Sequence, residues 1–266
     1  MTKINTIPNE SRLALETRRL TVSRDNVMVL NDLNLTISKG RWCALIGPNG
    51  AGKSTLLQVL AGILPFQGEV QIFSQPLQQL TTRIRAQRIA WLDQSSAQSA
   101  DDLTVYDVVM LGRIPHQAWL GGPSAADHAA VKHALTLTHA SEWRDRALGT
   151  LSGGEKQRVL LARLLAVDAD ILLMDEPLAN LDPPHQADWL LLVRELVAQG
   201  KTVVSVLHEV TLALYADELI IIADGQVRYA GKRDDPSLHR EIENVFEHRI
   251  TIYPVGDRWV ALPTLA

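Results

Sequence analysis

The sequence of 266 residues has a single cysteine, no long apolar run and no long basic run. Cys43 alone excludes an intrachain disulfide, and its place in an apolar strand is typical of a core thiol in a reducing compartment. The most apolar stretches, Leu160–Met174 and Leu219–Ala223, are interrupted by charge or too short to cross a bilayer. The polar N-terminus, Met1–Arg12, lacks the apolar segment of a signal peptide, so we expect no export. With 26 Lys+Arg against 30 Asp+Glu, nucleic acid is not an expected partner.

The order of the segments predicts one large α/β domain over residues 1–266. Two apolar segments, Leu13–Val22 and Val27–Ile37, flank a polar turn and predict an antiparallel β hairpin. After Leu151, apolar strands alternate with helical patterns, which predicts a mostly parallel sheet. The helical spacing before that point predicts an inserted helical subdomain. The predicted division is a core of residues 13–94 and 151–235, a helical subdomain of residues 95–150 and a C-terminal extension of residues 236–266.

A glycine-rich segment between a predicted strand and a predicted helix indicates a phosphate-binding loop. Its glycines allow a tight turn whose N–H groups face inward, and the positive end of the helix dipole points into the same space. Lys53 is expected to reach the terminal phosphates, and the Ser54 hydroxyl is expected to bind Mg²⁺. The alternative is an ordinary strand-to-helix turn, which the flanking pattern disfavours. The expected binding residues are Gly47, Pro48, Asn49, Gly50, Ala51, Gly52, Lys53, Ser54 and Thr55.

Two adjacent carboxylates follow the apolar strand Ile171–Met174 and are expected at the carboxyl edge of the sheet, where open α/β sheets bind ligands. Asp175 is expected to bind Mg²⁺, and Glu176 to polarise the water that attacks the γ-phosphate. Alone, the pair is equally compatible with a solvated strand end. Together with a phosphate-binding loop, it favours hydrolysis of a nucleotide.

The segment Ser152-Gly-Gly-Glu155 fits a capping box, in which Ser152 and Glu155 satisfy each other's backbone N–H groups. A capping box does not require glycine at its two middle positions, which here are Gly153 and Gly154. They leave the N–H groups of a helix N-terminus open to a second phosphate contact. Because one chain already has a loop for its own nucleotide, this second contact implies a second copy of the protein.

In this order, Gly47–Ser54, Leu151–Arg158, Ile171–Pro177 and His208 resemble the nucleotide-binding subunit of an ATP-binding cassette (ABC) transporter over about residues 13–235. The resemblance implies an α/β P-loop ABC ATPase core with an antiparallel β subdomain and an inserted helical subdomain. It implies a homodimer that holds ATP between the loop of one copy and Ser152, Gly153 and Gly154 of the other.

Three further single residues match positions in the family's other motifs. Gln94 matches the glutamine that senses Mg²⁺ and links the site to the helical subdomain. Asp182 matches the aspartate that contacts the partner's phosphate loop, although alone it is compatible with a helix cap before Pro183. His208 matches the histidine that binds the γ-phosphate and keeps Glu176 and water in register. The resemblance thus implies catalytic roles for Glu176, His208 and Gln94, and Mg²⁺ binding by Ser54, Gln94 and Asp175.

One departure concerns the base of the nucleotide. The family often stacks adenine on an aromatic ring in the first hairpin, and residues 22–26 contain none. Arg24 offers a planar guanidinium as a substitute, which predicts loose selectivity between ATP and GTP.

The segment Thr104–His116 resembles that of importers of large metal chelates, the cobalamin, haem and iron-siderophore group. It implies a groove for a separate permease in two copies, fed by a periplasmic or extracellular substrate-binding protein, with this chain peripheral on the cytoplasmic face of the inner membrane. For Arg113, Pro115, His116 and Trp119, a helix end followed by a solvated loop is an equally good interpretation. The alternatives are the ATPase of another ABC import class or of an exporter, or a soluble ABC protein acting on ribosomes or DNA, which the single uninterrupted cassette disfavours.

Overall fold

The computed structural model describes residues 13–93, 101–118 and 121–264, and it divides into two compact units. One unit combines Met1–Leu80 with Val210–Ala266, and the other is Thr81–Glu209. The helices and strands in chain order are β1 (Leu13–Arg24), β2 (Val27–Ser38), β3 (Trp42–Ile46), α1 (Lys53–Leu60), β4 (Gln67–Ile72), β5 (Gln75–Pro76), α2 (Thr82–Arg88), β6 (Ile89–Leu92), α3 (Val105–Met110), α4 (Ala125–Leu137), α5 (Gly153–Ala166), β7 (Ile171–Asp175), α6 (Pro183–Ala198), β8 (Thr202–Val206), α7 (Val210–Ala213), β9 (Glu218–Ala223), β10 (Gln226–Lys232), α8 (Pro236–Val245), β11 (Ile250–Val255) and β12 (Arg258–Pro263).

The first unit begins with the predicted hairpin. Strands β1 and β2 pair antiparallel, and the turn between them consists of Asp25 (φ 48) and Asn26 (φ 62), both in the left-handed region that these short polar residues tolerate. Strands β4 and β5 extend this antiparallel sheet in the order β2-β1-β4-β5. The antiparallel β subdomain predicted from the sequence is therefore confirmed.

The same unit carries the strand that leads into the glycine-rich loop. Strand β3 pairs in parallel with β9, and all five residues of β3 are buried, as expected for a strand covered on both faces. Strand β10 pairs antiparallel with β9 through the turn at Asp224 and Gly225, where both φ angles are positive. Helix α7 has only four residues.

The second unit contains a parallel sheet and a helical layer. Strands β6, β7 and β8 pair in parallel, and every residue of β7 and β8 is buried. Helices α3, α4 and α5 enclose an apolar core that includes Val108, Val131 and Val159. Helix α3 is followed by a 3-10 helix at Leu111–His116, because Pro115 cannot donate an α-helical hydrogen bond.

Candidate active site

The first turn of the glycine-rich loop depends on the absence of a side chain at Gly47. Its φ is +146°, and a Cβ there would lie 1.9 Å from the carbonyl oxygen of Ile222. Gly52 has a φ of +99°, and a Cβ there would lie 2.6 Å from Leu30 Cδ2. A side chain at Gly47 would therefore displace the backbone at Ile222, and at Gly52 the positive φ strains any residue other than glycine.

The ammonium group of Lys53 is bound by the backbone of the glycine-rich loop. Its Nζ donates hydrogen bonds to the carbonyl oxygens of Gly47 and Pro48, each at 2.8 Å, and the residue is 5 % exposed. Helix α1 begins at Lys53 without a side-chain cap and without an acidic residue in its first turn. The N-terminal N–H groups and the positive end of the helix dipole are thus not neutralised by a neighbouring side chain of the helix.

These features fit a bound phosphate group. A loop with no side chain at Gly47 and Gly52, a buried ammonium and an uncapped helix N-terminus together provide the donors and the positive charge that a phosphate requires. Ser54 is exposed at the start of α1, where its hydroxyl is accessible to a metal ion, whereas Thr55 and Ala51 are buried and support the turn.

In the second unit, the acidic pair lies at the carboxyl end of β7. Asp175 is 3 % exposed, and Glu176 follows with a φ of 50°, an uncommon conformation for a residue with a long side chain. Such a conformation costs on the order of 1 kcal/mol and is often found at functional sites. Here it accompanies a turn in which Ala179 N donates to the carbonyl oxygen of Glu176.

His208 meets the acidic pair directly. It follows β8, the parallel neighbour of β7, and its Nε2 lies 2.5 Å from Glu176 Oε1. The two side chains are 47 % and 24 % exposed, so both contact each other and remain accessible to water. The structure therefore brings together two of the predicted catalytic residues, while the third, Gln94, lies outside the described residues.

The predicted capping box is present at the start of α5. Ser152 N donates to Glu155 Oε2 at 2.7 Å, and Glu155 N donates to Ser152 Oγ at 3.3 Å. These hydrogen bonds, the one from the Ser152 backbone first, lower the pKa of Glu155, so the carboxylate that completes the box stays ionised at neutral pH. Ser152 and Gly153 are both exposed at this helix N-terminus.

The glycines of this segment have a second role that the sequence pattern did not indicate. A Cβ at Gly154 would lie 3.0 Å from the carbonyl oxygen of Asn180, tighter than most real contacts. In addition, Gln157 Nε2 donates to the carbonyl oxygen of Pro177 at 3.0 Å. The start of α5 is thus packed against the loop that follows the acidic pair, which explains why bulky residues are absent there.

Asp182 is the N-cap of α6, as its place before Pro183 suggested. Its Oδ1 accepts a hydrogen bond from His185 N at 3.2 Å and also contacts His185 Nδ1. The side-chain contact with His185, followed by the backbone hydrogen bond, lowers the pKa of Asp182. His185 was not among the predicted site residues, although its position three residues after a capping aspartate is a usable signal.

Side chains of the segment after α3 are held within the second unit. Arg113 Nε lies 2.9 Å from Asp127 Oδ1, its Nη1 donates to the carbonyl oxygen of Ala166, and His116 Nε2 lies 2.8 Å from the carbonyl oxygen of Val167. Arg113 and His116 therefore belong to a 3-10 helix held by internal contacts, whereas the alternative interpretation expected a solvated loop here. Ile114 is 59 % exposed in the same turn, and Trp119 lies outside the described residues.

The tip of the first hairpin is open to solvent. Arg24 is exposed at the end of β1, and its neighbours Val27 and Met28 are 65 % and 56 % exposed. In the absence of an aromatic ring, these are the side chains that the hairpin can offer to a flat base.

A phosphate-binding loop, an acidic pair with its histidine and a glycine-rich helix start define a nucleotide-hydrolysing cassette. The family model described as ABC transporter matches residues 30–179. The chain therefore belongs to the ABC transporter family and is an ABC ATPase with a P-loop α/β fold. Among the described residues, no helix is long and apolar enough to cross a membrane.

Named relatives are similar over most of the chain. The petrobactin import ATP-binding protein FpuD of Bacillus anthracis is 41 % identical over 255 residues, covering 94 % of this chain and 93 % of that protein. The hemin import ATP-binding protein HmuV of Plesiomonas shigelloides is 36 % identical over 248 residues, covering 86 % of this chain and 93 % of the relative. A solved metal-chelate type ABC transporter in an inward-facing conformation has a TM-score of 0.78 and 25 % identity, covering 96 % of this chain and 98 % of that one.

Proposed function

We propose that this protein is the ATP-hydrolysing subunit of an importer for a metal chelate, of the cobalamin, haem or iron-siderophore group. The observation that carries the cargo class is the similarity, along nearly the whole chain, to ATP-binding proteins named for petrobactin and hemin import. The geometry that supports hydrolysis is the buried Lys53 in its loop and the contact between His208 and Glu176.

The proposed chemistry divides among a few side chains. Lys53 and the backbone N–H groups of residues 47 and 49–55 would bind the phosphates of ATP, and Ser54, Asp175 and Gln94 would hold Mg²⁺. When bound, Mg²⁺ supplies positive charge that neutralises the transferred phosphoryl group. Glu176 accepts the proton of the attacking water, and His208 holds the Glu176 carboxylate in place.

The proposed assembly contains two copies of this chain and two composite ATP sites. Ser152, Gly153 and Gly154 of one copy face the nucleotide on the loop of the second copy, and Asp182 contacts that loop. The exposed N-terminus of α5 supports this arrangement, because its capping box leaves part of the helix end accessible to an anion. Within each copy we propose the division into a core of residues 13–94 and 151–235, a helical subdomain of residues 95–150 and a C-terminal extension.

The proposed permease is a separate transmembrane chain in two copies, served by a periplasmic or extracellular substrate-binding protein. It would hold this subunit at the cytoplasmic face of the inner membrane. The 3-10 helix at Leu111–His116 supports contact with a permease, because Leu111 and Ile114 are 41 % and 59 % exposed. Arg113 of the same helix is buried and donates a hydrogen bond to Asp127, which holds the helix in place. The partner's apolar side chains would contact Leu111 and Ile114.

The experiment is an affinity purification of tagged Glu176→Gln chain from detergent-solubilised membranes in the presence of ATP. Mass spectrometry would identify the partner, and the same purification without ATP and with an Ile114→Asp variant would serve as controls. We expect a polytopic permease of the metal-chelate type, recovered poorly with Ile114→Asp. Recovery of ribosomal proteins, of an exporter, or of no membrane protein would contradict the proposed transport role and leave the ATPase assignment in place.

A further inference from the structure

His185 contacts one of the two carboxylate oxygens of Asp182. The contacts from His185 N and from His185 Nδ1 both go to Oδ1, and the backbone N–H of Asp182 also contacts its own carboxylate. The Asp182 side chain is 58 % exposed, so the carboxylate remains accessible to an outside donor. A carboxylate held in this way presents its second oxygen in a fixed direction.

The two donors from His185 have different consequences. The backbone N–H caps α6 and depends on the helix start alone, whatever the side chain at position 185. The imidazole Nδ1 is the donor that fixes the rotation of the carboxylate about its side chain. Because Asp182 has a lowered pKa, it is ionised at neutral pH and accepts a hydrogen from the Nδ1–H form of the ring.

We propose that His185 is a positioning residue: its imidazole holds Oδ1 of Asp182 so that Oδ2 faces the phosphate loop of a second copy. This inference rests on the proposed function, because it requires the dimer in which Asp182 contacts the partner. It adds a residue whose effect passes through Asp182, without contact with ATP. The expected effect of removing the ring is weaker dimerisation, with nucleotide binding to the single chain unchanged.

The surroundings of His185 make the substitution practical. Together with Leu181 and Trp189, the ring lines an open cavity of about 290 Å³. Removing the ring enlarges an existing space and does not leave a closed hole in the core, so the His185→Ala chain is expected to fold. His185→Asn is the conservative variant, because the Asn Nδ2 donor lies close to the place of the imidazole Nδ1.

The experiment uses the full chain with Glu176→Gln as parent, in which ATP is bound and not turned over. Sedimentation equilibrium with ATP and Mg²⁺ gives the dimer Kd for the parent and for the added His185→Ala and His185→Asn changes. We expect His185→Ala to weaken dimerisation about tenfold for each contact, which is ~1.4 kcal/mol. Since a two-fold dimer contains the contact twice, the total is about 100-fold. His185→Asn should remain within about threefold of the parent.

A second variant separates positioning from a merely structural effect. Asp182→Ser keeps an oxygen that can cap α6 but lacks the second oxygen. We expect this change to weaken dimerisation by itself, and adding His185→Ala to Asp182→Ser should cause no further loss. Full additivity of the two changes would show that His185 acts elsewhere and would overturn the inference.

The remaining outcomes also distinguish the two proposals. A parent that dimerises with ATP, together with a His185→Ala chain that dimerises equally well, would overturn the role of His185 and leave the proposed function intact. A parent that shows no ATP-dependent dimer would overturn the proposed assembly and this inference with it. Equal losses in His185→Ala and His185→Asn would also contradict the inference, because the amide donor should restore the contact.

Discussion

The carboxylate of Asp127 binds Arg113 and so stabilises the 3-10 helix Leu111–His116, which we propose contacts the permease. We therefore expect Asp127→Asn to destabilise the second unit. Asp127 accepts hydrogen bonds from Ser124 N at 2.9 Å, Ser124 Oγ at 2.7 Å and Arg113 Nε at 2.9 Å. The side chains of Arg113 and Asp127 are only 10 % and 6 % exposed, so solvent screens their attraction weakly. Arg113 also donates to the carbonyl oxygen of Ala166 at 2.7 Å, which joins this turn to the end of α5.

The magnitude follows from the pKa of Asp127. The contacts from Ser124, followed by the Arg113 guanidinium, lower this pKa to about 2. Compared with about 3.9 for a free aspartate, the difference corresponds to about 2 to 2.5 kcal/mol at neutral pH. Breaking a buried ion pair outright costs about 3 to 5 kcal/mol. We expect the lower range, because asparagine keeps an oxygen for Ser124 and Arg113 keeps its bond to Ala166.

The pH dependence has a defined sign. Because the folded pKa lies below the unfolded one, the stabilisation by Asp127 is present above about pH 4 and is lost as the pH falls towards 2. The free-energy difference between wild type and Asp127→Asn should therefore be full at pH 7 and about half at pH 3.

The assay is urea unfolding of the nucleotide-free chain, followed by tryptophan fluorescence, since Trp143 lies in the helical core. The matched control is Asp107→Asn. Asp107 also lies three residues after a capping hydroxyl, that of Thr104, but it is exposed and has no ion pair among the described residues. We expect the control to change stability by less than about 0.5 kcal/mol. The reasoning would be refuted if Asp127→Asn lowered the free energy of unfolding at pH 7 by as little as the control does. It would also be refuted if the loss at pH 3 were the same as the loss at pH 7.

Four further substitutions test the proposed site and its support. Glu176→Gln should bind ATP while its hydrolysis rate falls about 10²- to 10⁴-fold, and a rate near wild type would remove Glu176 as the base. Lys53→Ala removes both hydrogen bonds that close the loop, so titration with ATP should show weaker binding; unchanged affinity would contradict the assignment. Gly112→Ala should lower the free energy of unfolding by about 1 to 3 kcal/mol, because its Cβ would lie 2.4 Å from a carbonyl oxygen of α5. The control is Gly122→Ala, which should leave the free energy of unfolding unchanged because there is open space around Gly122. Arg24→Ala should weaken binding of ATP and GTP alike, and a strong wild-type preference for ATP would count against an unselective base site.

Local sequence was sufficient for the elements that have strong signals. The apolar segments of β1 and β2 with the turn between them, and the capping box at Ser152, each specify their geometry within a few residues, so these predictions are confirmed. The short 3-10 helix at Leu111–His116 was not predicted, because helical spacing is compatible with either helix type. The roles proposed for the site residues from the motifs remain predictions.

The sequence by itself determined the family of this protein, because its phosphate loop, its acidic pair and its signature helix are local motifs whose chemistry depends on residue type and spacing. Tertiary structure alone decided which side chains meet across long stretches of the chain. It placed His208 2.5 Å from Glu176, 32 positions apart, and it turned Arg113 inward onto Asp127 and Ala166. The physical reason is that a hydrogen bond needs a particular distance and direction between two groups, and only the packed chain provides both.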